Sequence, residues 1–224
     1  MRALLIPCVA VCSLALSGCS AVYSVHPLNN SDDAVNEPAL VGQWKPSSDD
    51  SRLCIQKGDH NTYTMIVADT DSKSDSDSNS AGDAKSEKDP KMTEAYQVTL
   101  VRLEDQLFAD LVAKDQAVDG RRIDPPAGAI YHHVIVKLKV SDSDLAYSVL
   151  DTSAVREAKK QGLAPWDYLE IDDGILLTAS TEELRWIVSH YADLLFTTDE
   201  EHFTRVADGS TDGSSTPCSA IPTP

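Results

Sequence analysis

Residues 134–149 read Val134-Ile135-Val136-Lys137-Leu138-Lys139-Val140, then Ser141-Asp142-Ser143-Asp144, then Leu145-Ala146-Tyr147-Ser148-Val149. Val134, Val136, Leu138 and Val140 fall on one parity, and Ile135, Lys137 and Lys139 on the other. Successive side chains of a strand point to opposite faces, so this alternation gives a strand with one apolar face. The four polar residues suit a turn, and Leu145, Tyr147 and Val149 resume the period. The stretch reads as an antiparallel hairpin with one face buried.

The same period of two runs upstream. Leu53 and Ile55 alternate with Cys54 and Gln56, and Tyr63, Met65 and Val67 with Thr62, Thr64 and Ile66. Tyr96, Val98 and Leu100 are followed by Leu107, Ala109 and Leu111, with a hairpin turn across residues 103–107. About seven strands with short polar connections predict a mainly β domain, an antiparallel meander, over residues 40–206. Two stretches interrupt it. Residues 69–90 carry seven acids against three lysines with no apolar anchor, and read as a disordered insertion. Residues 115–128, with Pro125-Pro126, read as a second loop.

Downstream the period changes. Residues 151–161 suit a short polar helix stopped by Gly162, and Asp172-Asp173-Gly174 turns into a strand at Ile175-Leu176-Leu177. Ser180-Thr181-Glu182-Glu183 forms a capping box: the serine oxygen takes a helix N–H, and Glu183 reaches back. Behind it, Leu184, Ile187, Val188, Tyr191 and Leu195 mark one face of an amphipathic helix. Residues 207–224 are a Ser/Thr/Gly/Pro tail read as disordered.

The amino terminus decides location. Met1-Arg2 is followed by an apolar run to Leu16, too short to span a hydrocarbon core and ending in small residues, as a secretory signal does. Leu16-Ser17-Gly18-Cys19 resembles the lipobox of bacterial lipoproteins. The resemblance implies removal of residues 1–18 and lipidation at Cys19 by a diacylglycerol thioether and an acylated amine. The acyl chains then supply the membrane contact. Ser20, rather than Asp, favours sorting to the outer membrane in the Gram-negative version of the family. Residues 19–39 read as the lipidated cysteine and a flexible tether.

The chain has 224 residues and a formal net charge of −17, and loses Arg2 with the signal. So acidic a protein is unsuited to nucleic acid or to docking on anionic lipid heads. Of five cysteines, Cys8 and Cys12 leave with the signal and Cys19 is lipidated, so Cys54 and Cys218 remain. In an oxidising compartment this pair suggests a disulfide tying the tail to an early strand; two free thiols are the alternative.

Strands in sequence, then a helix and a cysteine-bearing tail, resemble a lipocalin or related calycin barrel. Gly42-x-Trp44, just before the meander, is similar to that family's opening motif, in which the tryptophan plugs the closed end. The resemblance implies an antiparallel barrel with the C-terminal amphipathic helix packed outside. Lipocalins carry eight strands before the helix, against about seven here with a helical segment before the last. No arginine is assigned opposite Trp44, although Arg205 is nearest by order. Val25-His26-Pro27-Leu28, Leu40-Val41-Gly42-Gln43-Trp44 and residues 177–184 also resemble a group of bacterial envelope lipoproteins with no assigned activity.

No nucleophile elbow, phosphate loop or dinucleotide fingerprint is present. His132 and His133 are strand neighbours that point to opposite faces and cannot chelate together, and His190 and His202, near acids on the last helix and after it, read as a surface pair. Asp75-x-Asp77-x-Asn79 starts like a calcium loop, but Ser80 and Ser86 stand where its glycine and bidentate glutamate belong. No metal or cofactor is expected. Trp44 is read as a core plug, with the floor of a ligand cavity as its sharper role. The expectation is a non-enzymatic, membrane-anchored lipoprotein whose barrel binds a small apolar ligand or lipid. The alternative is an interaction protein with a filled barrel that recruits another envelope protein.

Overall fold

The computed structural model describes residues 21–30, 32–47, 51–68, 92–118, 121–123, 131–163, 166–172, 174–197 and 200–207. The chain runs β1 (Ala21–Ser24), a 3-10 turn (Pro38–Leu40), β2 (Gly42–Pro46), β3 (Arg52–Lys57), β4 (Thr62–Ala68), β5 (Met92–Leu103) and β6 (Gln106–Val118). It continues with β7 (Arg121–Ile123), β8 (His133–Val140), β9 (Asp144–Val149), α1 (Thr152–Lys160), β10 (Tyr168–Ile171), β11 (Gly174–Leu177), α2 (Thr181–Leu195) and β12 (Glu201–Arg205).

Eight strands close a barrel. Antiparallel ladders join β2 to β3, β3 to β4, β4 to β5 and β5 to β6. They continue from β6 to β8, β8 to β9 and β9 to β12, and β12 returns to β2. Closure leaves no unpaired edge around the ring. The protein is mainly β, as its alternation predicts, and α2 packs outside the barrel as expected. The helix is not the last element, however. After β9 the chain builds α1, β10, β11 and α2 on the outer surface before β12 completes the ring.

Three buried clusters result. One is formed by the inward faces of the barrel strands: Trp44, Tyr63, Leu100, Leu107 and Leu145 are among its members. The second lies between the outer barrel wall and the helices, where Phe108 and Ile135 meet Leu184, Ile187, Val188 and Leu195. Those four are on the helix face that the 3.6-residue period marks. The third joins Cys54, Ile66 and Ala95 on the outer wall.

Both helix starts form as their sequences direct. The Asp151 side chain accepts from Ala154 N–H ahead of α1, and Ser180 and Glu183 complete their capping box. Three sequence expectations need correction. Residues 21–39 are not a tether: β1 pairs parallel with β11, Leu28 is fully buried, and Ala34 bridges Val101. The connection at 115–128 is shorter than read, because β6 runs to Val118 and pairs with β7. A strand, β12, occupies residues read only as following the helix. The signal at 1–18, Cys19, the insertion at 69–90, Cys218 and the tail from residue 208 lie outside the described residues.

Candidate functional site

The barrel has one sealed end, built around Trp44. Its ring is fully buried, and its Nε1–H donates to the Leu40 carbonyl at 2.9 Å. Leu40 ends the short 3-10 turn that lies across that end. Arg205, in register with Trp44 on the neighbouring strand, lays its guanidinium 4.2 Å from the ring centroid. The same guanidinium donates to the Val41 carbonyl at 2.7 Å and to the carbonyls of Ala39 and Asp142. Arg205 is thus the partner of Trp44 that order along the chain brought nearest and that sequence reading left unassigned.

Gly42 follows from this arrangement. Its φ is +147°, and a Cβ there would stand 2.3 Å from Arg205 Nη1. A backbone that L side chains rarely adopt and an occupied volume both require glycine. The two-residue motif is therefore a mechanical fit: glycine makes room for the cation that caps the tryptophan.

Above this floor the interior is open. A cavity of about 340 Å³ is lined by inward side chains of all eight strands, including Leu53, Val98, Val136 and Phe203, with Leu40 at its base. The volume lies at the lower end of the roughly 300–1,000 Å³ typical of small-molecule sites. Burial identifies the open end. Tyr63 and Leu100, near the plug, are fully buried, whereas Met65, Val67, Tyr96 and Val149 are only partly so. Trp44 itself does not line the cavity. The structure gives it the plug role and no contact with the space above.

Polar groups are few and sit toward the mouth. Ser51, Glu201, Tyr96 and Tyr147 are among the lining residues. The Tyr96 hydroxyl donates to Glu94 Oε2 at 2.6 Å. Burial first, and then the Glu94 carboxylate beside it, push the Tyr96 phenol well above its ordinary value. A bulge between Ala95 and Tyr96 shifts the β5–β6 register at this place, where a strand can re-aim its side chains.

The remaining sequence candidates fall elsewhere. His133 presents Nδ1 to Asp110 Oδ1 at 2.7 Å, while His132 packs against Tyr23. Asp110 is buried on the outer wall, and its Oδ2 accepts Leu28 N–H at 2.7 Å. Sequence reading passed over this carboxylate; its signal was a lone acid between Ala109 and Leu111 in an apolar strand. His190 Nδ1 lies 2.7 Å from the Trp186 carbonyl oxygen. Among the described residues no group of three or more His, Cys, Asp and Glu is placed to hold a metal ion. Cys54 is buried on β3 and disulfide-bonded.

Among the described residues, no helix is long and apolar enough to cross a membrane. No protein-family model, curated protein or solved structure matches the chain.

Proposed function

We propose that this is a lipid-anchored envelope lipoprotein, not an enzyme, whose barrel takes up one small apolar molecule or a single lipid chain. The observation that carries this reading is the apolar cavity of about 340 Å³, closed at the Trp44 end and open at the other. An unfilled, preformed apolar space suits an apolar guest. The lipobox supports the anchor. Cys19 stands five residues before Ser24, which pairs with His133 at the mouth end of β8. Five extended residues reach at most about 17 Å, so the acyl chains would hold the mouth close to a bilayer.

Native mass spectrometry of the full chain tests the binding. Co-purifying apolar mass is expected, and it should be lost when Ala109, deep in the lining, is enlarged in Ala109→Phe. An empty wild-type protein that takes up no apolar probe rejects the reading. The second reading, recruitment of another envelope protein through the last helix, is favoured by Trp186 and Leu194. Both are exposed on α2, and His190 stacks on Trp186 between them. Under that reading, Trp186→Ala abolishes partner capture while Ala109→Phe leaves it intact.

A further inference from the structure

The closed end of the barrel and the height of its apolar wall set how long a guest can be. On β8 the cavity is lined by Val134, Val136 and Leu138, and on β9 by Leu145, Tyr147 and Val149. Each set runs over four residue steps, about 14 Å along a strand at about 3.4 Å per residue. At the usual strand tilt of about 40°, that is about 10 Å down the barrel axis. Leu40 closes the bottom, and its carbonyl is held by the Trp44 Nε1–H at 2.9 Å, so the floor is fixed to the plug. Ala109 on β6, in register with Val136, is the smallest apolar side chain among the described lining residues, and it is buried. It is the place where the wall leaves room deep in the barrel.

Depth and volume give the same answer by separate routes. An extended chain of atoms advances about 1.2 Å per bond, as a polypeptide does at about 3.6 Å per three bonds, so a depth of about 10 Å takes about eight carbons. A space of about 340 Å³ holds about eleven groups of methylene size, taken as about 30 Å³ each like a water molecule. We propose, resting on the binding reading above, that the barrel is a length gauge for one unbranched aliphatic chain of about eight to eleven carbons, with Leu40 as the stop and Ala109 as the residue that sets the limit. Two chains side by side would need about twice the volume. Each methylene seated between floor and rim leaves water for apolar wall and raises affinity about fourfold. A methylene beyond that depth has left the lining and adds little.

The test uses the full chain carrying Cys19→Ser, so that no attached acyl group competes, and straight 1-alkanols from hexanol to hexadecanol as probes. Equilibrium dialysis against neighbouring pairs at equal free concentration, with the retained alcohols read by gas chromatography, gives the affinity gain of each added methylene directly. The gain is expected to be about fourfold per step up to about eight to eleven carbons and to fall below about twofold beyond it. Ala109→Val adds two carbons to a close-packed wall and should move this break about two carbons shorter; Ala109→Leu should move it about three. Alcohol held anywhere outside the barrel would not respond to either substitution. A gain that continues undiminished to hexadecanol, or a break that stays in place in a folded Ala109→Val or Ala109→Leu protein, overturns the gauge and leaves the binding reading standing. Retention of no alcohol of any length overturns both.

Discussion

The Arg205 guanidinium covers the Trp44 ring at 4.2 Å and is held there by the carbonyls of Ala39, Val41 and Asp142. One side chain thereby ties together the 3-10 turn, β2, the β8–β9 turn and the last strand. A lysine has neither the planar fork nor the flat face that this needs. Arg205→Lys is expected to cost about 2 kcal/mol in urea unfolding, from lost cation–π contact and unsatisfied carbonyls. Gly42→Ala should cost about as much, because its Cβ would meet Arg205 Nη1. In an Arg205→Ala background the clash disappears and only the strain at φ +147° remains, so the two costs should fall short of adding by about 1 kcal/mol. Strict additivity would mean that the pair does not act as one closure.

Asp110 is the polar post on which the amino-terminal segment hangs. Its two oxygens meet His133 Nδ1 and Leu28 N–H, both at 2.7 Å, and it is almost wholly buried. Alanine removes both carboxylate oxygens, so the buried Leu28 N–H and His133 Nδ1 each lose their partner. Asp110→Ala should cost about 2 kcal/mol, the penalty of an unsatisfied buried group. The Leu28 amide should also exchange with solvent much faster than amides of β5. An unchanged Leu28 rate would argue that the contact does not hold the segment.

The inward faces were legible because they obey a local rule. Val134, Val136 and Leu138, and likewise Tyr96 and Val98, line the interior on the parity that the sequence assigns. The capping box and the buried face of α2 were legible for the same reason. β12 was not, because Glu-His-Phe-Thr-Arg has a single large apolar residue, and its two barrel partners lie far back in the chain. Missing β12 hid the pairing of Arg205 with Trp44. β1 was missed in the same way, since four residues give no period and its main partner, β11, comes about 150 residues later. The cavity was beyond reach of pattern altogether. Alternation says which side chains point inward, whereas whether they fill the barrel depends on strand stagger and side-chain volume.

Acid should loosen the outer layer before the barrel. Hydrogen bonds from Arg156 hold Glu170 below its ordinary value of 4.5, and Lys159 holds Asp167 below 3.8. Ser180 does the same for Glu183 at the start of α2. A carboxyl whose folded value is depressed contributes stability above its unfolded value and loses it as pH falls through the folded one. The contribution is therefore intact above about pH 5 and fades as pH drops below about 4. All three groups are exposed, so high salt should weaken the effect. Hydrogen exchange read from pH 6 downward should show α1, β10 and the first turn of α2 opening ahead of β4 and β5. Simultaneous opening would refute the assignment.

The bonded state of Cys54 bears on the carboxyl-terminal tail. Cys218 is the partner that cysteine arithmetic supplies under the proposed removal of residues 1–18 and lipidation of Cys19, and the closed loop would span 164 residues. Ideal loop-closure entropy then contributes on the order of 5 kcal/mol. Labelling under denaturing, non-reducing conditions should modify neither thiol in protein carrying Cys19→Ser and stripped of its signal, and both after reduction. Modification of both before reduction would exclude the bridge. Cys218→Ser should lower the unfolding midpoint without altering the barrel's circular dichroism.

Gly174 decides whether the globule starts at residue 21 or only at Leu40. It faces Ala21 in the parallel β1–β11 register with φ +145°, and a Cβ there would stand 1.9 Å from the Ala21 carbonyl oxygen. No side chain can be added without pushing β1 away. Val22, buried between β11 and the helices, would then lose its cover. Gly174→Ala should therefore expose the amides of Val22 to Ser24 to rapid exchange and cost about 2 kcal/mol, from one uncovered valine and several broken ladder bonds. Residues 40–207 should keep their own protection. If the anchor were a free tether, the substitution would change neither stability nor exchange upstream of residue 28. The difference matters for the proposed lipid anchor, because a packed β1 would fix the orientation of the barrel on a membrane, whereas a tether would leave its mouth free to turn.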